Sequence, residues 1–98
     1  MAEVKWTFQA AEDLESITDF IARDSFHYAR LFAVNIFEAV DHLKKFPQSG
    51  RVVPELNDSR VRELILGNYR LVYRKKKDIT ELLAIYHDAQ MLDSSKLE

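Results

Sequence analysis

Ala29, Phe32, Ala33, Ile36, Val40 and Leu43 recur at the spacing of one helical stripe, with Pro47 standing where the stripe must stop. A helix with one apolar face cannot stand alone in water, so the rest of the chain has to supply a surface for it. Asp24-Ser25 offers a break and a cap before it, and the helix is expected to run to about Phe46. A second helical period precedes the break. Leu14, Ile17, Phe20 and Ile21 predict a helix from about Ala10 to Arg23, with Glu12, Asp13 and Glu15 in its early turns, where carboxylates complement the helix dipole. The pair reads as a helical hairpin.

The surface for that hairpin comes from segments of a different period. Val4-Lys5-Trp6-Thr7-Phe8 alternates apolar and polar and suits a short strand. Phe46-Pro47-Gln48-Ser49-Gly50-Arg51 has turn chemistry, and Pro54 extends an irregular stretch to about Ser59. Strands are then expected at Val61 to Leu66, Tyr69 to Arg74 and Ile79 to Tyr86, joined by Gly67-Asn68 and by a tight turn around Lys76, Lys77 and Asp78. A two-residue loop at Gly67-Asn68 pairs 66 with 69, 64 with 71 and 62 with 73. Arg62, Leu64, Leu66, Tyr69, Leu71 and Tyr73 then share the face that meets the helices, and Val61, Glu63, Ile65, Arg70, Val72 and Arg74 share the other. The expected class is α+β: one strand, a helical hairpin and a three-stranded antiparallel meander, in a single domain over residues 1–98.

Composition narrows the function classes. With 47% apolar residues, 31% charged residues, two Gly and two Pro, the chain is of a folding kind. No cysteine is present, which excludes disulfides and thiolate metal sites. The start of the chain lacks a signal-peptide pattern and no stretch is long and apolar enough to span a bilayer, so a cytoplasmic protein with no membrane role is expected. His27, His42 and His87 form no zinc spacing, no Gly-rich phosphate loop occurs, and no nucleophile-elbow sequence frames any serine; neither metal nor cofactor is expected.

The charge distribution is more pointed. Between Arg60 and Lys77 seven Lys and Arg residues stand against one acid, Glu63, in a chain of formal net charge -2. Cations concentrated on one hairpin suit a nucleic acid, a nucleic-acid machine or an acidic partner; they equally suit a solvated surface. Arg70 carries both readings. It lies diagonal to Glu63 on one face, so a structural ion pair explains the two charges, whereas a guanidinium also makes a good phosphate or carboxylate clamp. His87, beyond the last expected strand, is either an acid-base group near Arg70 or a residue that packs at a strand end.

Taken in order, Ala11-Glu12-Asp13-Leu14, Phe46-Pro47-Gln48-Ser49-Gly50-Arg51, Arg62-Glu63, Asn68-Tyr69-Arg70-Leu71-Val72-Tyr73 and Ile85-Tyr86-His87 resemble the RelE/ParE family of bacterial toxins, and the resemblance runs from about Val4 to Leu92. It implies the toxin half of a type II toxin-antitoxin pair, neutralised by a small ParD-like or RelB-like antitoxin. It also implies one of two activities: ribosome-dependent mRNA cleavage in RelE-like members, or poisoning of DNA gyrase in ParE-like members. RelE-like nucleases supply lysines on the second strand, the arginine of a Tyr-Arg motif, and an arginine and a tyrosine near the C-terminus. Here Arg70 matches the Tyr-Arg position, but the strand reads Arg62-Glu63-Leu64 and the tail after His87 reads Asp88-Ala89-Gln90-Met91-Leu92. The resemblance therefore leans to a ParE-like gyrase inhibitor. A RelE-like endoribonuclease using Arg70 and His87 on ribosome-bound mRNA is the alternative, and a non-toxic antitoxin-binding homologue is a third. The partner-binding candidates are Arg62, Arg70, Arg74, Lys75, Lys76 and Lys77 on the hairpin and Phe26 and Leu31 on the second helix. Phe26, Phe37 and Leu31 either line an exposed surface for an apolar antitoxin segment, which the resemblance implies can continue as an added strand on the sheet edge, or pack beneath the 46–59 loop.

Overall fold

Thr7 ends the first strand and starts the first helix. Its hydroxyl accepts the Ala10 N–H at 3.1 Å and donates to the Leu82 carbonyl at 2.7 Å, so one side chain caps the helix and pins it to the sheet. In this computed structural model, which describes residues 3–88, β1 is therefore Glu3–Trp6 and α1 is Phe8–Ala22. The helix begins before Ala10 because the cap outweighs the alternation that continues to Phe8. Glu12, Asp13 and Glu15 consequently fall beyond its first turn, which holds no acid. Asp13 instead ties the helix to the sheet, as one of its carboxylate oxygens accepts the Ile85 backbone N–H at 3.0 Å.

Ser25 caps α2, Phe26–Lys45, by accepting the Tyr28 N–H. The helix buries Ala29, Phe32, Ile36, Ala39, Val40 and Leu43: the expected stripe gains Ala39, while Ala33 is only partly buried. His42, Lys44 and Lys45 occupy its last turn, where positive charge suits the free carbonyls. Among the described residues no helix is long and apolar enough to cross a membrane.

The remaining strands are β2 (Arg51–Val52), β3 (Val61–Leu66), β4 (Tyr69–Lys75) and β5 (Ile79–His87). Gly67 turns β3 into β4 with a φ of 63°, a conformation natural to glycine. The pairs Arg62 with Tyr73, Leu64 with Leu71 and Leu66 with Tyr69 follow the register expected from the turn. The sheet is larger than the expected meander. Its order is β1-β5-β4-β3-β2, with β1 parallel to β5 and β2 antiparallel to β3. The expected first strand, whose partner local pattern does not encode, and the unexpected β2 thus join the three central strands at the two edges of the sheet.

A register shift between Val72 and Tyr73 pairs Val72 with Ala84 but Tyr73 with Leu82, leaving Leu83 opposite no residue of β4. The bulge lets Leu82 and Ile85, an odd number apart, both face the helices. Each sheet face therefore has its own core. Leu71, Tyr73, Leu82 and Ile85 pack with Ile36, Val40 and Leu43 beneath the helices. Val61, Val72, Leu83 and Ala84 pack with Val53 and Leu56 of the loop between β2 and β3. Among the described residues it is that loop that roofs the second face.

Candidate functional site

Three of the motifs that carried the family resemblance, those holding Gly50-Arg51, Arg62-Glu63 and Arg70 with Tyr73, meet in two polar groups, one on each face of the sheet. Gly50 donates its N–H to the Tyr73 hydroxyl at 2.9 Å, and Arg62 donates to the Gly50 carbonyl at 2.9 Å. A Cβ at position 50 would lie 2.6 Å from the Tyr73 Oη and 2.7 Å from the Glu63 carbonyl oxygen, so only glycine fits. Burial is the main reason the Tyr73 phenol holds its proton above the ordinary tyrosine range; the Gly50 N–H, the Arg62 charge and Ser49 pull only partly the other way.

On the opposite face, fully buried Glu63 accepts from Arg51 Nε at 2.6 Å and from Arg70 Nη1 at 3.3 Å. The same Arg70 nitrogen donates to Glu55 at 2.8 Å, and Nη2 makes a long 3.5 Å bond to the Asp88 carbonyl. The Arg70 side chain is only 12% exposed. Its burial would lower its hold on the proton, but the Glu55 and Glu63 carboxylates outweigh that and raise it, so the guanidinium stays charged. Arg70 thus makes the Glu63 ion pair read from the sequence. Glu55, which reaches it from the irregular loop, has no signal in local pattern.

Three other hairpin cations also meet acids from outside the 60–77 window. Arg60 pairs with Asp58 at 3.2 Å, while Arg74 and Lys76 approach the same Glu81 oxygen at 3.5 and 3.3 Å. The cation excess seen along the sequence is therefore smaller in space. Lys75 borders a cleft of about 750 Å³ with His42, Phe46 and Pro47, and Lys77 is exposed.

Arg70 and His87 do not converge. Tyr69 is the register partner of His87, and their rings meet edge-on at 5.3 Å, whereas Arg70 pairs with Tyr86. Successive strand residues point to opposite faces, so the two nuclease candidates lie on opposite sides of the sheet. His87 Nδ1 lies 3.4 Å from Asp88. Among the described residues no group of three His, Cys, Asp or Glu side chains could hold a metal ion. The tail from Ala89 onward, where the nuclease pattern would place an arginine and a tyrosine, lies outside the described residues.

The apolar candidates are open to solvent rather than packed beneath the loop. Phe26 is 82% exposed at the start of α2, and Leu31 and Phe37 are exposed further along it. Leu31 lines a groove of about 690 Å³ with Tyr28, Asn35, Ile65 and Tyr69, between α2 and the β3–β4 turn. Nothing in the sequence pattern marks Tyr28 or Ile65 for this surface. Their positions gain meaning only once the hairpin turn is seen beside the helix.

The helical hairpin on one face of a five-stranded sheet is a fold that this chain shares with a solved toxin-antitoxin system. The solved chromosomal ParDE TA system from P. aeruginosa superposes with a TM-score of 0.72 at 28% identity, over 89% of this chain and 96% of that one. The chain belongs to the ParE toxin family of type II toxin-antitoxin systems, whose family model matches residues 4–92. It is 32% identical to Toxin RelE2 of Caulobacter vibrioides over 92 residues, covering 93% of this chain and all of that protein. It is 35% identical to Putative toxin Y4kP of Sinorhizobium fredii over 89 residues, covering 89% of this chain and 88% of that one. The membership expected from the ordered motifs is met.

Proposed function

We propose that this protein is the toxin of a type II toxin-antitoxin pair that inhibits DNA gyrase through surface contacts in the cytoplasm, performs no covalent chemistry itself, and is neutralised by a cognate antitoxin. The observation that carries the reading is the state of Arg70. The one residue matching the nuclease pattern is buried between two carboxylates, and stabilising a phosphorane requires a cation aimed at open space. His87 lies on the other face, so the two do not act together in acid-base chemistry. Binding a macromolecule needs only complementary surface, which the groove along α2 and the cleft beside Lys75 supply. The antitoxin is assigned to the apolar groove and the adjacent Phe26, because exposed apolar surface of this kind suits an amphipathic segment.

Purified protein in a gyrase supercoiling assay should block supercoiling and accumulate cleaved DNA, while mRNA on translating ribosomes stays intact. Codon-specific mRNA cleavage abolished by Arg70→Ala would replace this reading with the RelE-like one. Inactivity in both assays, with tight antitoxin binding, would leave the antitoxin-binding homologue.

A further inference from the structure

β1 is an edge strand whose sequence is complementary to itself, and we infer that two copies of this protein associate by pairing β1 antiparallel with β1 of a second copy across a two-fold axis at Val4. β1 pairs with β5 alone among the described residues. Glu3 donates its N–H to the Asp78 carbonyl and Thr7 donates to the Leu82 carbonyl, both toward the β5 side. The period of two turns Lys5 the same way and turns the N–H and C=O of Val4 and Trp6 outward, onto the open edge.

An antiparallel strand laid on that edge with Val4 opposite Val4 of the second copy makes a hydrogen-bonded pair on the axis, each valine donating to and accepting from its counterpart. The flanking pairs are then Glu3 with Lys5 of the second copy and Lys5 with its Glu3. These are non-hydrogen-bonded positions, where opposite side chains stand closest. Both residues are exposed, and no ion pair within the described residues engages either. One two-fold therefore makes two ion pairs of opposite sign, and a shift of register by one residue loses both.

Apolar surface lies at the same edge. Val4 and Trp6 face the helices and are half-buried, and the Phe37 ring sits 5.9 Å from that of Trp6. Phe37 is exposed, as is Phe8, which follows the strand after a single residue. This surface is separate from the groove assigned to the antitoxin, so the pairing does not depend on that assignment.

Sedimentation equilibrium of the full chain from micromolar to millimolar concentration tests the inference. The parent should dimerise, and the Val4 amide should exchange more slowly as concentration rises. Glu3→Lys and Lys5→Glu, each alone, place like charges opposite each other twice and should weaken the dimer about tenfold. An equimolar mixture of the two variants re-creates both attractive pairs and should dimerise as the parent does. A parent that stays monomeric throughout, or a dimer indifferent to both charge changes, would overturn the inference; the second result would place the contact on another surface.

Discussion

Replacing Arg70 with alanine separates a structural guanidinium from a catalytic one. The substitution removes the 2.8 Å ion pair to Glu55 and the 3.3 Å ion pair to fully buried Glu63. Breaking a buried ion pair by deleting one partner costs about 3–5 kcal/mol, because the surviving charge keeps its desolvation penalty. Two features reduce that here. Arg51 still holds Glu63 at 2.6 Å, and the Glu55 side chain retains 18% exposure to water. The expected loss is therefore near the lower end, about 3 kcal/mol, a large part of the roughly 5–15 kcal/mol by which domains are stable. With a urea dependence of about 1 kcal/mol/M for a chain of this size, the midpoint should fall by about 3 M. Arg70→Lys should be intermediate, since an ammonium can stand in for Nη1 as a point charge beside both carboxylates but loses the Nη2 bond to the Asp88 carbonyl. The measurement is urea unfolding followed by circular dichroism, run beside a toxicity assay on the same variants. An Arg70→Ala protein that unfolds within about 0.5 kcal/mol of the parent yet has lost all toxicity would refute the structural role and revive catalysis.

Three further outcomes are expected. Phe26→Ser with Leu31→Ser should weaken antitoxin binding at least tenfold in calorimetry with a small change in melting temperature, because both side chains are exposed; a fall of many degrees would assign them to the core. Replacing Lys75, Lys76 and Lys77 with serine should weaken gyrase inhibition while costing about 0.5 kcal/mol or less in folding, since the Lys76 side chain is exposed and Arg74 still meets Glu81; unchanged inhibition would make the run a solvated surface. Because the Tyr73 phenol binds its proton more tightly folded than unfolded, its contribution to stability is complete below the ordinary tyrosine pKa of about 10 and is lost as pH rises through the folded value. Alkaline unfolding monitored by tyrosinate absorbance should show that loss, and Tyr73→Phe should flatten it while destabilising the protein at neutral pH by about 1–3 kcal/mol through the orphaned Gly50 N–H.

Much of this fold was legible because its signals are local. The α2 stripe, the Ser25 cap and the Gly67-Asn68 register each depend on residues a few positions apart, and each reappears in the structure. The parallel pairing of β1 with β5 joins residues more than seventy positions apart, and no local pattern encodes it. The two-residue β2 is too short to show a period. Glu63 with Arg70 was legible because both lie on one hairpin, but Glu55 was not, since an irregular loop delivers it. The apparent basic hairpin was misleading for the same reason: Asp58 and Glu81, which meet its cations, stand outside the window that defined it.

Pairing β1 with β5 fixes when this sheet can close during synthesis. β5 lies between β1 and β4, so neither the parallel edge nor the bulged ladder exists until residues 79–87 have been made. Until then Thr7 and Asp13 have no β5 backbone to bind, and the helices have only part of a floor. Such long-range closure is slow compared with helix formation. A chain interrupted before Ile79 keeps both helical sequences and the β3–β4 hairpin but cannot close the sheet, so no folded toxin exists until Ile79–His87 have been translated.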